Sequence, residues 1–258
     1  MIPMVGNADT ERRVLYCGDG DITSAASYLG GLMTSWGWRF EHVPDDRDLD
    51  PDRLDDDVSL IIVSDYPARR LSTECQLGID KAVRQGAGLL MIGGWTSFRG
   101  RDGLWGGTPV GDLLPVEISV GDDRVNCDQA TAVRATQAHP ATNGLPWASR
   151  PPAIGGFNRV KARPDAGVLL ECQQFEIQSE AARFTFHETR SDVLLAVGRH
   201  GHGRTAAFTT DVAPHWVGPL IDWGRGRVSV RMPGAPEREI GDLYAKLMNQ
   251  LLSWVGAP

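Results

Sequence analysis

Two short segments made almost entirely of apolar residues constrain the fold of this chain most strongly. They read SLIIVSD (59–65) and GLLMIG (88–93), and a segment with helical character, 73–85, lies between them and stops at Gly86. A strand without polar alternation is typical of a sheet that is covered on both faces, as parallel sheets are. The order strand, helix, strand therefore indicates parallel neighbours joined by a crossover helix.

The preceding residues repeat this order. RVLYC (13–17) and WRFEHV (38–43) are predicted strands, and residues 23–36 are predicted to form a helix with one apolar stripe. Thr23 or Ser24 is the expected N-cap, because a short hydroxyl side chain can accept a hydrogen bond from the free N–H groups of the first turn. The sequence thus predicts an α/β fold, doubly wound around a mostly parallel sheet with helices on both faces.

The alternation stops after Gly100. Short β-like pieces separated by turns rich in Pro, Gly and Asn fill about 115–186, and we expect a β-rich insertion there. The sheet then resumes, and its last strand and helix are expected to complete the first sheet. We therefore expect one domain over residues 1–258.

The resumed part contains two predicted strands and a helix. VLLAVG (193–198) and RTAAFTT (204–210) flank RHGHG, which is typical of a hairpin turn. From Ile240 to Leu252 the apolar residues follow the i, i+3, i+4, i+7 spacing of an amphipathic helix.

Composition excludes several classes of partner. The net charge of −7 argues against nucleic acid or an anionic membrane as a partner bound by bulk attraction. No apolar run approaches the length of a membrane helix, and the first residues lack the pattern of a secretory signal. The cysteines are widely spaced, which favours reduced thiols and a cytoplasmic location. They are Cys17, Cys75, Cys127 and Cys172.

Four predicted loops follow the carboxyl ends of strands. In an open α/β sheet these ends meet at one edge, where ligands bind. Each loop holds a polar or aromatic residue beside a turn-forming residue, which predicts a cleft for a small polar molecule. The loops are 18–21, 65–67, 93–107 and 211–216.

Three longer motifs resemble the class I glutamine amidotransferase-like family, in its branch of uncharacterised members. They are MIGGWTSFRGRDGLWGGTPVGDLLPVEI (91–118), AHPATNGLPW (138–147) and GHGRTAAFTTDVAPHW (201–216). The resemblance extends over about 14–255. It implies a flavodoxin-like sheet. It also implies a cysteine on the turn after a central strand, with a histidine and a glutamate after a later strand, which together hydrolyse glutamine and release ammonia.

This sequence departs from the family pattern at the catalytic positions. The family turn G-x-C-x-G corresponds to GGWTS (93–97), so Trp95 stands in the place of the nucleophile and Ser97 in that of the final glycine. His215 lies in the expected later loop, but Val217 stands in the place of the glutamate. Because an indole cannot form a thioester, we expect the standard Cys-His-Glu triad to be missing.

Other residues could supply a nucleophile or a base. Thr96 and Ser97 carry hydroxyl groups at the turn, and His215, oriented by Asp211, could activate one of them. The alternative is that both hydroxyls satisfy backbone groups of the turn. Cys17 is a thiol near the expected cleft, although no basic neighbour in the sequence would lower its pKa.

The expected ligand-binding residues come from the same loops. The tryptophans near the cleft mouth, Trp95, Trp105, Trp216 and Trp223, suit a small organic ligand and equally suit a subunit interface. An arginine beside the turn could meet a carboxylate or phosphate. The candidates are Asp19, Asp65, Gly94, Trp95, Arg99 and Trp216.

Neither a metal nor a cofactor is expected. His200 and His202 lack a third ligand at matching spacing, and the acidic run 45–57 lacks the glycine and final glutamate of a calcium loop. Three hypotheses therefore remain: a protein that binds or hydrolyses a small polar molecule, a non-catalytic module that forms a homo-oligomer, and a glutaminase with an unusual nucleophile at Cys17 or Ser97.

Overall fold

The computed structural model describes residues 13–257 and shows fourteen strands and five α-helices in that range. The strands are β1 (Arg13–Gly18), β2 (Arg39–Val43), β3 (Val58–Ser64), β4 (Gly88–Ile92), β5 (Val116–Glu117), β6 (Arg124–Asn126), β7 (Thr131–Ala135), β8 (Gly156–Asn158), β9 (Lys161–Ala162), β10 (Gly167–Glu180), β11 (Arg183–His200), β12 (Gly203–Phe208), β13 (Arg227–Val230) and β14 (Arg238–Gly241). The helices are α1 (Ala26–Ser35), α2 (Thr73–Gln85), α3 (Pro109–Leu113), α4 (Pro214–Val217) and α5 (Asp242–Val255).

Eight strands form one sheet in the order β2-β1-β3-β4-β12-β11-β10-β7. The strands from β2 to β12 in that order are parallel to their neighbours, and β11, β10 and β7 add an antiparallel extension. Residues 60–63 of β3 are at most 1% exposed, as expected for a strand covered on both faces. The predicted flavodoxin-like, mostly parallel α/β fold is confirmed.

Helices cover both faces of the sheet. Apolar residues of α1 and α5 pack in one core, and those of α2 and α3 pack in a second core on the opposite face. The predicted helix 73–85 is confirmed. The Ser72 hydroxyl accepts from the Cys75 N–H at 3.1 Å, and the helix ends at Gly86, whose φ of 128° favours glycine.

Two predicted helix starts are wrong. The first helix begins at Ala26 without a side-chain cap, because the Ser24 hydroxyl instead donates to the carbonyls of Asp19 and Asp21. The last helix, α5, begins at Asp242, two residues after the start of the apolar pattern at Ile240. Ile240 instead belongs to β14, which pairs with β13.

The region predicted as a β-rich insertion contributes directly to the main sheet. Its strands β7 and β10 extend the sheet beyond β11, while β5 pairs with β9 and β6 pairs with β8. The β10–β11 hairpin is longer than its sheet neighbours and turns at Ala181 and Ala182, both with positive φ. The predicted hairpin between β11 and β12 is confirmed, with His200 paired to Gly203. Within residues 13–257, no helix is long and apolar enough to cross a membrane.

Candidate functional site

The carboxyl end of β1 carries Asp19, which is 3% exposed and has a positive φ of 59°. The Tyr16 hydroxyl donates to its Oδ2, and the Ser64 hydroxyl donates to its Oδ1 at 3.0 Å. A side chain on Gly18 would collide with the Ser64 carbonyl oxygen, at 1.5 Å, so the ends of β1 and β3 approach each other only through glycine. The close approach of the two strands therefore fixes the Asp19 carboxyl group.

The carboxyl end of β3 carries Asp65, also at positive φ, 44°. Its Oδ1 accepts from the backbone N–H of Thr96 at 2.6 Å, and its own N–H donates to the Ser97 hydroxyl at 2.9 Å. A Cβ on Gly94 would lie 2.3 Å from the Asp65 carboxyl carbon, which requires glycine at that position. The turn after β4 is thus folded directly onto Asp65.

The loop after β12 carries Asp211, which is 8% exposed. Its Oδ1 accepts from the backbone N–H groups of Val212 at 2.5 Å and Ala213 at 3.1 Å. Its Oδ2 accepts from no residue of the described chain. One oxygen of this buried carboxyl group therefore has no partner within residues 13–257.

The three carboxyl groups share one electrostatic environment. Burial, strengthened by the charge of Asp65, raises the pKa of Asp211 to about 7, and burial raises the pKa of Asp65 to about 6. Burial, together with the charges of Asp211 and Asp65, raises the pKa of Asp19 well above its ordinary value. Among residues 13–257, no Lys, Arg or His nitrogen lies within 4.0 Å of these carboxyl groups. We call Asp19, Asp65 and Asp211 the aspartate cluster.

Two tyrosines complete the surroundings of the cluster. Burial raises the pKa of Tyr16 and of Tyr244 above the ordinary value, and the charges of Asp19 and Asp211 add to both effects. The Tyr16 hydroxyl is bonded to Asp19, whereas the fully buried Tyr244 hydroxyl has no hydrogen-bond partner among the described residues. The Thr210 hydroxyl, next to Asp211 in the chain, also lacks one.

The turn after β4 differs from a nucleophile turn in its backbone. The positive φ of 156° falls on Gly94, one residue before Trp95, and residues 93–108 form no helix. The Trp95 ring is 41% exposed, and the Arg124 guanidinium lies 4.7 Å from its centroid. The indole ring of Trp95 is therefore partly exposed at the carboxyl edge of the sheet.

Sequence reasoning missed the residues that hold this turn in place. Asn158, at the end of β8, accepts from the Gly94 N–H at 2.9 Å and donates to the Gly94 carbonyl at 3.1 Å. It also donates to Asp123 Oδ1, and Asp123 in turn accepts from the backbone N–H groups of Arg99 and Gly100, each at 2.9 Å. No local pattern connects positions 64 residues apart, so no sequence signal could have revealed these contacts.

The structure does not join the residues expected to form a hydroxyl-histidine pair. His215 is exposed, and no hydrogen bond or ion pair within the described chain links it to Asp211, Thr96 or Ser97. Ser97 is fully buried with its hydroxyl accepting from Asp65, as in the backbone-satisfying alternative. The Arg99 guanidinium donates to the backbone, including the Val120 carbonyl at 3.3 Å.

The expectation of four tryptophans at the cleft mouth is wrong for three of them. Trp105 and Trp216 are 0% exposed and Trp223 is 4% exposed, and each indole N–H has a buried or partly buried acceptor. Trp216, a candidate ligand contact, donates to Asn126 Oδ1 at 2.7 Å and packs against Gly156. Their apolar surface is used in the cores, and Trp95 alone of the four is exposed.

The remaining candidates either lie away from the carboxyl edge of the sheet or are too buried to react as nucleophiles. Cys17 is 1% exposed, and burial raises the pKa of its thiol to about 12. His200 Nε2 lies 3.0 Å from Asp80 Oδ1, and no third side chain of metal-ligand type joins this pair in the described part of the chain. Within residues 13–257, no group of three or more His, Cys, Asp or Glu side chains is placed to hold a metal ion.

The sheet order and the loops at its carboxyl edge define a class I glutamine amidotransferase-like α/β protein. The family described as "Putative glutamine amidotransferase" (GATase1_like) matches residues 65–230, and the chain belongs to that family. Among curated proteins, none matches this sequence.

Solved structures show the same fold. The cytoplasmic protein STM3548 from Salmonella typhimurium superposes with a TM-score of 0.72 at 23% identity, covering 95% of this chain and 99% of that one. The cytoplasmic protein STM1381 from Salmonella typhimurium LT2 gives 0.70 at 20% identity, covering 94% and 99%. A ThuA-like protein from Parabacteroides merdae gives 0.59 at 11% identity, covering 96% and 90%.

Proposed function

We propose that this protein binds a small polar molecule at the aspartate cluster and does not release ammonia from glutamine by a thioester route. One observation carries the proposal: three carboxyl groups from three strand ends are buried together without a basic partner among the described residues. Burying unpaired carboxylates destabilises a fold, and groups with strongly perturbed pKa values in a cleft are candidates for function.

The turn after β4 supports the part of the proposal that excludes ammonia release through a thioester. Acyl transfer needs a nucleophile and backbone N–H groups free to bind the developing oxyanion. Trp95 offers no nucleophile, and the N–H groups of Trp95 and Thr96 are directed at the Asp65 carboxyl group, which accepts from Thr96 at 2.6 Å. A carboxyl group therefore lies where an oxyanion would need donors.

The cluster also supports acid–base chemistry on a bound molecule. A general acid or base works best with a pKa near the working pH, and burial places the pKa of Asp211 at about 7 and that of Asp65 at about 6. If the protein turns over a substrate, Asp211 is a better-placed base than His215, because it lies inside the cluster while His215 is exposed.

The experiment combines an activity assay with a binding screen. Full-length protein incubated with L-glutamine should release no ammonia above the buffer control. A thermal-shift panel of polyols, amines and small carboxylic acids should contain compounds that stabilise the wild type and Asp165→Asn, but not Asp211→Asn. Asp165 is an exposed carboxylate far along the chain from the cluster and serves as the matched control. Ammonia release abolished by Cys17→Ala or Ser97→Ala, or stabilisation unchanged in Asp211→Asn, would contradict the proposal.

A second candidate function, self-assembly, is favoured by the β10–β11 hairpin. Phe184 and Phe186 are 66% and 57% exposed, and the register places Ile177 opposite Phe186 on the same face of the ribbon, with Phe175 in edge contact with Phe186. A projecting two-stranded ribbon is marginally stable alone in water, so a partner would stabilise it. Sedimentation of the wild type and of a Phe184→Ser/Phe186→Ser variant tests this; equal molar masses would contradict it.

We also propose a cytoplasmic location, since both similar Salmonella proteins are named as cytoplasmic proteins. The cysteines support it, since all four are unpaired thiols.

A further inference from the structure

The β10–β11 hairpin extends beyond its neighbours in the main sheet. β7 pairs with β10 only up to Gln174, and β12 pairs with β11 only from Leu195, so residues 175–191 form a projecting two-stranded ribbon. Within the described chain, the ribbon beyond Phe175 makes no backbone–backbone hydrogen bond to any segment outside the hairpin. We propose, resting on the self-assembly proposed above, that the tip of this ribbon, residues 180–184, lies in a groove of a second copy of the chain, which places its own ribbon in return.

One face of the ribbon is apolar and exposed. Phe175 and Phe186 are in edge contact, with ring centroids 6.3 Å apart, and Ile177 lies directly opposite Phe186. Phe184 lies next along the same face, two residues from Phe186, and both of these rings are more than half exposed. A two-stranded hairpin has little stability alone in water, and an exposed apolar face of this kind is typical of an interaction surface. The apolar face of the ribbon therefore indicates a protein partner.

A groove of about 480 Å³ lies at the base of the ribbon. Residues of β9 and those after β5 line it on one side, and residues of β10 and β11 line it on the other. Its apolar lining includes Ile118, Val160 and Val193. Cavities of roughly 300–1,000 Å³ hold a molecule of drug size, so this groove has room for a few side chains of a ribbon tip.

The groove and the apolar face of the ribbon lie on the same side of the sheet. Glu171 of β10 lines the groove, and because side chains alternate along a strand, Glu171, Phe175 and Ile177 point to one side. Arg134 supports this placement, since it lies directly opposite Glu171 in β7 while its guanidinium lies 5.7 Å from the centroid of the Phe175 ring. The two features therefore form one continuous surface.

The charges of this surface indicate a second copy as the partner. The tip carries Glu180 directly opposite Arg183, one charge of each sign. The groove holds the same combination, with Lys161 Nζ 3.3 Å from Glu117 Oε2. The other charged side chains of the lining also balance, two positive against two negative: Arg159 and Arg190, Asp192 and Glu171. A strongly acidic or basic partner would gain nothing from such a surface, whereas the ribbon and the groove of two copies complement each other.

The size of the ribbon explains why the groove is needed as well. From Phe175 to its turn the ribbon extends for about 20 Å and is about 10 Å wide, so one face offers roughly 200 Å². A stable dimer buries about 800 Å² on each partner, so two ribbons that only touch each other do not suffice. A mutual exchange adds both grooves to the contact. It also closes at two copies, because each copy uses its ribbon once and its groove once.

The test locates the tip of the ribbon in the assembled protein. The photo-reactive analogue p-benzoylphenylalanine replaces Phe184 in full-length chains, which are mixed with unmodified chains labelled with a heavy nitrogen isotope and left to exchange subunits. Irradiation should join unlabelled position 184 to labelled peptides that contain residues 117–119 or 159–162, and mass spectrometry identifies these products. The same analogue at Leu77, a 54% exposed residue of α2, is the matched control and should give no product between copies.

A charge reversal in the groove measures how much the groove contributes. Lys161→Glu places a second carboxylate beside Glu117, and Lys81→Glu makes the same change of charge at an exposed position of α2. Because the reversal acts at both grooves of a dimer, Lys161→Glu should weaken dimerisation in sedimentation equilibrium by about tenfold, and Lys81→Glu by less than about twofold. Thermal unfolding checks that both variants keep the fold.

The possible failures can be told apart. A dimer whose photo-products lie outside the groove or within one chain, or which both charge reversals weaken equally, would overturn the inference and leave self-assembly intact. An assembly that keeps growing with concentration would also overturn it, because a mutual exchange closes at two copies. A monomer at every concentration would overturn self-assembly together with the inference. Ligand binding at the aspartate cluster is measured separately and depends on none of these results.

Discussion

Asp192 and Asp211 are equally buried aspartates, each 8% exposed, with opposite surroundings. Asp192 Oδ1 accepts from Arg159 Nε at 3.2 Å and from Arg190 Nε at 2.9 Å, and its Oδ2 accepts from Gln174. Within the described part of the chain, Asp211 accepts from two backbone N–H groups only, both on one oxygen. The difference between the two residues is thus their partners and not their burial.

The places of the two residues explain this difference. Asp192 lies within β11, where its arginines tie the extension of the sheet to the loop after β8. Asp211 follows β12 at the carboxyl edge, where ligands bind in open α/β sheets. A paired buried charge holds the scaffold, whereas an unpaired one destabilises the ligand-free fold and is available to a ligand. Substitutions of Asp192 and of Asp211 should therefore change the free energy of unfolding in opposite directions.

The largest expected effect is a pH-dependent gain of stability in Asp211→Asn. The pKa of Asp211 is about 7 in the folded chain, above its unfolded value, so its contribution to stability is present below about pH 4 and is lost as the pH rises from about 4 through 7. An amide stays neutral and avoids this loss. We expect a gain of about 1.5 kcal/mol at pH 5 that grows to about 4 kcal/mol at pH 8 in urea unfolding.

The same substitution at the exposed Asp165 controls for a general effect of net charge. A gain of equal size at pH 5 and pH 8, or a loss at pH 8, would show that Asp211 is not a strained, unpaired acid in the folded chain. Asp65→Asn should show the same sign with a smaller gain, since the pKa of Asp65 is about 6.

The second expected effect has the opposite sign. Asp192→Ala leaves Arg159 and Arg190 facing each other without their shared carboxylate and removes the acceptor of Gln174. We expect a loss of about 1–2 kcal/mol in unfolding free energy, because three hydrogen-bond donors lose their acceptor while the arginine side chains, 37% and 55% exposed, stay partly solvated. Urea unfolding at pH 8 measures it, with Asp165→Ala as the control. A neutral or stabilising result would show that the arginine partners of Asp192 do not make its effect on stability different from that of Asp211.

The parallel strands and their crossover helix could be predicted from the sequence because the pattern for each element lies within one short segment. The apolar runs of β3 and β4 and the spacing of α2 each lie within one segment, and the structure places them within one or two residues of the prediction. Asp19, Asp65 and Asp211 were candidates because strand ends meet at one edge of a parallel sheet, and their shared electrostatics follows from that topology.

The rest depends on contacts between distant residues. Asn158 clamps Gly94 across 64 positions, and β10 joins β7 and β11 only after the chain has left the βαβ alternation. Trp216 reads in the sequence as a loop residue, yet it fills the space beside Gly156. A single sequence also does not show whether a carboxyl group has an arginine beside it, as Asp192 does and, among residues 13–257, Asp211 does not.

The smallest expected effect separates the two tyrosines beside the aspartate cluster. Tyr16→Phe removes a hydroxyl that donates to Asp19, so it should cost about 1–2 kcal/mol in unfolding free energy. Tyr244→Phe removes a hydroxyl without a partner in the described chain, so in ligand-free protein it should change stability by less than about 0.5 kcal/mol or raise it slightly. Thermal unfolding of both variants without ligand measures the contrast. Equal losses would mean that the Tyr244 hydroxyl is already satisfied in the ligand-free protein, which would remove the contrast between the two tyrosines.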